Sequence, residues 1–170
     1  MSNQKDLLKV TSGTKDLNGV ELTGAKLKGE DLRYASLKGA NIDQADLRHA
    51  ILLNADLSGA VLWRTFFDHA NLEGANLAGT NLQGANLTDA NLQGANLTDA
   101  NLEGANLAGA NLEDTSLKRA NVKDANLEGA NLKNANLKNA DLRGTKMTDA
   151  NLEGVDLKNV DLRGTGLNKK

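Results

Sequence analysis

The chain has 170 residues, 20 of them basic and 22 acidic, for a formal net charge of −2. It contains two histidines, no cysteine and no proline, and only 2% of it is aromatic. These values exclude a disulfide scaffold, and a domain built round an aromatic centre gives way to a narrow column of leucines. No apolar run approaches the roughly 18–20 residues of a membrane span.

Residues 1–14 are polar, with Leu7, Leu8 and Val10 as their main apolar side chains. They read as a leading segment that covers the first open sheet edge as an N-terminal cap, or as a loose tail. From residue 15 a five-residue phrase takes over, most regular between Ala70 and Ala140, as in Ala85-Asn86-Leu87-Thr88-Asp89. On an α-helix a five-residue step advances about 500°, so the leucines would spiral round every side. Strict strand alternation is also broken. Short extended pieces joined by corners fit the pattern. The small residue and the leucine, two apart, point inward, and the asparagine between them points out. The other two residues turn the chain, and 15 of the 17 glycines occupy the last place of the phrase. Glycine there supplies the positive φ of a turn, with Asp and Asn as the usual substitutes.

The phrase resembles the A(D/N)LXX motif of the pentapeptide-repeat family. Central apolar residues recur every five positions from Leu17 to Leu167, which is 31 units, all Leu except Ile42, Phe67, Val122 and Met147. The resemblance implies an all-β fold over residues 15–170, a right-handed quadrilateral β-helix with four units to a coil. Residues twenty apart would stack at about 4.8 Å in about eight coils, a rod of roughly 35–40 Å.

Lys15 and Glu30 occupy places meant for a small inward residue and are expected to lean out of the column or distort it. Between Ile51 and Phe67 several apolar residues stand where solvent is expected. Ile51 and Leu53 fall on one face with Tyr34 at its corner, and Val61 and Trp63 on the opposite face. Phe66 follows Trp63 round a corner, with Arg64 between them. Val61, Trp63, Arg64 and Phe66 form a candidate partner surface, since exposed aromatics and Arg are typical anchors. Local packing or a short bulge is the plainer explanation. His49 and His69, followed at the same interval by Asp89, should stack in one corner column, where an ordinary solvated corner is favoured over a metal site.

Asparagine precedes the central leucine in nine successive units from Asn71 to Asn111, which predicts a ladder of side-chain hydrogen bonds. In the last third Lys118, Lys138 and Lys158 should form one basic column, and Lys123, Arg143 and Arg163 the next, with Asp141, Asp156 and Asp161 beside them. These columns are either a solvated face or a seat for an anionic partner. Asn168-Lys169-Lys170 offers no obvious cap, and an exposed last coil permits the end-to-end homodimer that the resemblance implies.

No Ser–His–Asp order or glycine-rich phosphate loop is present, and a leucine-filled interior leaves no substrate pocket. The sequence points to a non-enzymatic, cofactor-free and metal-free rigid solenoid that presents its faces to a protein partner. Members of the resembled family that confer quinolone resistance mimic DNA and bind gyrase. A duplex carries one charge per roughly 1.7 Å, so a net charge of −2 suits such a mimic poorly. A purely architectural scaffold is the third possibility. The absence of cysteine and of a signal-like amino terminus points to the cytoplasm, with a lumenal or periplasmic mature form as the alternative.

Overall fold

The computed structural model describes residues 4–158 and 160–167. From Asp16 onward the chain winds as a right-handed four-sided β-helix in which each outward residue but Asn136 forms a parallel bridge with the residue twenty further on, from Asp16↔Ser36 to Asp141↔Asp161. We number the faces by their central residues: face 1 carries Leu17, face 2 Leu22, face 3 Leu27 and face 4 Leu32, each repeating every twenty residues.

The five-residue phrase follows from a complete accounting of backbone donors. In the unit Ala70–Gly74, the Leu72 N–H donates to Asn91 O at 2.7 Å and the Gly74 N–H to Gln93 O at 2.9 Å, both one coil on. The Asn71 N–H donates one coil back to Ala50 O at 3.0 Å, and the Ala75 N–H closes the corner onto Leu72 O at 2.9 Å. One donor remains, the N–H of the residue after leucine. It goes to the side chain two residues earlier, as Glu73 N–H to Asn71 Oδ1 at 3.0 Å. Asparagine or aspartate before leucine is therefore the acceptor that completes the turn, since a buried amide without one is costly.

Every described corner from Gly19 to Gly164 has positive φ. The leucines and small residues are buried almost without exception in one continuous column. Thr65, Thr80, Thr115 and Thr145 stand at the small inward place. They are buried with their hydroxyls donating to backbone carbonyls, as Thr65 Oγ1 does to Ile42 O at 2.9 Å. Glu30 is half-buried at that place, and Lys15 leans out, its Nζ donating to Asp31 O at 3.3 Å.

The leading segment contains a helix, α1 (Gln4–Thr11). Val10 joins the core and Leu7 packs against it. Glu21 has no coil beneath it to supply the carbonyl that Asn41 finds on Val20. Its N–H donates to Asp6 Oδ2 at 3.1 Å instead. That bond, with Lys9 beside it at 2.9 Å, holds the Asp6 carboxyl below the usual range. At the other end no bridge forms at Asp156, and the expectation for Asn168-Lys169-Lys170 lies outside the described residues.

Candidate functional site

Along most of the rod the outward places hold Asn, Asp or Ser. The stretch 51–66 departs from this. Val61 is 41% exposed on face 2 and Phe66 46% exposed on face 3. At the corner between them the Arg64 guanidinium carbon lies 4.2 Å from the centre of the Trp63 ring. On the opposite side Ile51 is 36% and Tyr34 65% exposed. Trp63 and Leu53, expected to face solvent, are half-buried. Their place, just after the central residue, is half-buried at Gln83, Glu103 and Lys123 as well, because the turn folds it against neighbouring coils.

Two features mark this stretch as locally unfavourable. Ile51, Val61 and Phe66 have no oxygen to offer the N–H two residues on, so the turns at Leu53, Trp63 and Asp68 forgo the side-chain acceptor that Asn71 provides to Glu73. Each such bond contributes roughly 0.5–1.5 kcal/mol. Of the described corners with positive φ that are neither Gly, Asn nor Asp (Tyr34, Gln44, His49, Arg64, His69 and Arg119), Arg64 falls in this stretch. A left-handed conformation costs such residues roughly 1–2 kcal/mol each. Arg64 adds that cost to the missing acceptors beside it, and strain retained at one corner is a pointer to function.

The two basic columns are unlike one another. On face 1, Lys118, Lys138 and Lys158 have no carboxylate within ion-pair distance among the described residues. On face 2, Arg143 and Arg163 are each held at two points by the aspartate two residues earlier, Asp141 and Asp161, and Lys123 Nζ lies 3.5 Å from Asp124 Oδ2. Asp141 and Asp161, expected beside the columns, thus neutralise much of face 2. The Arg163 guanidinium depresses the Asp161 carboxyl to about 2, and Arg143 lowers Asp141 in the same way. Asp156 instead accepts the Lys158 backbone N–H at 2.8 Å. A cavity of about 320 Å³ lies between Lys138 and Lys158, floored by Ala135–Asn139 and Asp156.

His49 and His69 stack as expected, with ring centres 5.1 Å apart and planes 10° from parallel. Asp89 Oδ2 is 3.9 Å from His69 Nδ1. Among the described residues no group of three or more His, Cys, Asp or Glu side chains is placed to hold a metal ion. The asparagine ladder is present on three faces. On face 4, Asn111 Nδ2 donates to Asn91 Oδ1 at 3.2 Å while the same oxygen takes the Gln93 N–H at 3.2 Å. Faces 1 and 2 repeat this at Asn96–Asn76 and Asn101–Asn81. On face 3 the amides turn aside, Asn86 to Asp68 and Asn106 to Thr88. The ladder amides are uncharged, and charged residues flank them, with Asn91 and Asn131 also donating to the Glu73 and Glu113 carboxylates.

The family model for pentapeptide repeats matches residues 16–54, 55–94, 95–134 and 125–164. The chain belongs to the pentapeptide repeat family. It is 30% identical to HetL, a pentapeptide repeat protein involved in heterocyst differentiation regulation from the cyanobacterium Nostoc, over 98% of this chain and 99% of that one, with a TM-score of 0.41. It is 36% identical to a pentapeptide repeat protein from the Arabidopsis thaliana thylakoid lumen over 58% of this chain and 65% of that one, at a TM-score of 0.43. Trypsin-treated QnrB1, a plasmid-mediated fluoroquinolone resistance protein, shares the fold at a TM-score of 0.66 and 16% identity, covering 90% of this chain and 88% of that one. No curated protein matches the chain. Among the described residues no helix is long and apolar enough to cross a membrane.

Proposed function

We propose that the chain is a non-catalytic docking rod whose Val61–Trp63–Arg64–Phe66 corner receives a protein partner. One observation carries this reading: apolar residues at 61 and 66 replace the side-chain acceptors that complete a turn, and the rod gains no internal hydrogen bond in exchange. Both remain substantially exposed. A residue kept at some expense to the fold and turned toward solvent suits contact with something outside it.

The test restores the repeat. In Val61→Asn/Phe66→Asn both turns regain an acceptor, so the docking role predicts a melting temperature equal to or a few degrees above that of the unaltered chain. The same variant should lose the partner that the unaltered chain captures from its native extract. A variant that melts earlier and still captures the partner would assign both residues to packing alone.

The gyrase-binding alternative requires a surface rich in uncompensated acid. Here face 1 of the ladder carries the unpaired cations Lys118, Lys138 and Lys158, and carboxylates such as Asp141 and Asp161 are bound by arginine. The purified chain is expected to leave gyrase supercoiling unaffected at low micromolar concentration. Potent inhibition would make rod shape the deciding feature.

A further inference from the structure

We infer that the corner recognises a carboxylate lying beside an apolar side chain on the partner, with Arg64 as the carboxylate's receptor. This rests on the docking role proposed above for the same corner, and it adds the chemistry of the occupant.

The chain has six arginines, Arg33, Arg48, Arg64, Arg119, Arg143 and Arg163. Five are clamped by aspartate through two nitrogens. Arg33, Arg48, Arg143 and Arg163 each close a triplet Asp-Leu-Arg, in which the aspartate two residues earlier points the same way and takes both Nε and a terminal nitrogen. Arg119 stands one place later, at a corner, where the residue two before it is the buried Leu117. It is clamped by Asp99, one coil below in its own column.

Arg64 also stands at a corner, and the residue two before it is the buried Leu62. Its column neighbours are Gln44 below and Gly84 above, neither with a carboxylate. Asp43, one coil below Trp63, accepts from Gln44 at 3.2 Å through one oxygen, and its other oxygen is buried without a donor. Arg64 is thus the one arginine without a carboxylate partner among the described residues.

Its position is nevertheless fixed. The guanidinium lies over the Trp63 ring, and the Arg64 stem runs past Gly84, where an added Cβ would stand 3.4 Å from Arg64 Cγ. The guanidinium N–H donors make no hydrogen bond among the described residues, and their fork geometry matches a carboxylate at two points. Pre-organisation by the ring lowers the ordering cost of binding. Val61 and Phe66 flank the same corner and supply the apolar contact. The complementary ligand is a peptide segment with Asp or Glu next to Leu, Ile or Phe.

Trp63 is the only tryptophan in the chain, so its emission reads this corner directly. The experiment selects a phage-displayed library of short random peptides on the full chain and titrates the enriched peptides against it by Trp63 fluorescence. Enriched peptides are expected to carry an acidic residue beside an apolar one. Changing that acid to its amide, or Arg64→Gln in the rod, should each weaken binding by roughly tenfold or more. The two losses should not add when combined, because both remove the same contact. Arg64→Gln should leave the melting temperature unchanged, and Arg64→Lys should restore only part of the affinity. Peptides that bind through Phe66 and are indifferent to the acid would overturn the carboxylate inference and leave the docking role standing. If no peptide alters Trp63 emission, the inference falls. The docking role falls with it only if Val61→Asn/Phe66→Asn also captures the same partner as the unaltered chain.

Discussion

Replacing Leu92 by alanine should lower the melting temperature by roughly 7–16 °C, a loss of about 3.5–4 kcal/mol read through 2–4 °C per kcal/mol for a chain of this size. Leu92 is fully buried, stacked between Leu72 and Leu112, which are equally buried. The coils above and below cannot close on the void. Leu92 N–H is bonded to Asn111 O at 2.8 Å, Leu72 N–H to Asn91 O at 2.7 Å, and the ladder amides repeat the same spacing outside. A leucine-to-alanine change costs about 2–5 kcal/mol depending on how far the site collapses, and a pinned site belongs in the middle of that range or above. Because each coil touches only its neighbours, the damage separates the rod into two shorter stacks and should broaden the transition. The adjacent Gln93→Ala removes a half-buried, solvent-facing side chain and should change stability by no more than about 0.5 kcal/mol. Leu92→Asp would bury an unpaired carboxylate and should prevent folding. Circular dichroism melts of the alanine variants decide the matter. Equal melting temperatures for Leu92→Ala and Gln93→Ala would refute the register on which the whole column depends.

Two further perturbations test other parts of the architecture. Asp89 Oδ1 occupies the space that a Cβ on Gly109 would need, whereas nothing lies near the equivalent point on Gly104, and both corners have positive φ. Gly104→Ala should therefore cost only the backbone penalty of about 1 kcal/mol, and Gly109→Ala slightly more, because the exposed Asp89 carboxylate must swing aside. The excess should vanish in an Asp89→Gly background; equal urea midpoints for the two alanine variants in the unaltered chain would contradict the steric account. The Arg163 clamp lowers the Asp161 carboxyl to about 2, so its stabilisation is present above the ordinary carboxylate range and is lost as pH falls from about 4 through 2. The melting-temperature difference between the unaltered chain and Arg163→Leu should shrink over that window, and a difference unchanged at pH 2 would rule the clamp out as its source.

The repeat made the coil legible because each of its five places answers to one physical demand. Leu and Ala fill the column, Asn completes the turn, and the last residue bears the positive φ. The stacking of His49 on His69 and of Arg64 on Trp63 followed from the twenty-residue interval and from chain adjacency. The helix α1 was hidden because Gln4–Thr11 lacks the length for a strong periodic signal, and Asp6 reaches Glu21 only through the tertiary fold. The difference between the two basic columns was written in the sequence as Asp-Leu-Arg at 141–143 and 161–163. Residues two apart share an outward side, so these aspartates were expected beside the columns, and the structure adds the two-point clamps. The half-burial of Trp63 depends on how the turn leans on its neighbours, which residue type does not encode.

The most direct test of the docking corner places a photoreactive benzoylphenylalanine at position 66 in the living cell, with the same residue at positions 86 and 106 as controls. These lie in the same outward column one and two coils further on, as the bridges Phe66↔Asn86 and Asn86↔Asn106 show. A partner seated on Val61, Trp63 and Phe66 predicts a covalent adduct of defined mass from position 66, weak labelling at 86 and none at 106. Equal labelling at all three positions, or none at 66, would contradict the account.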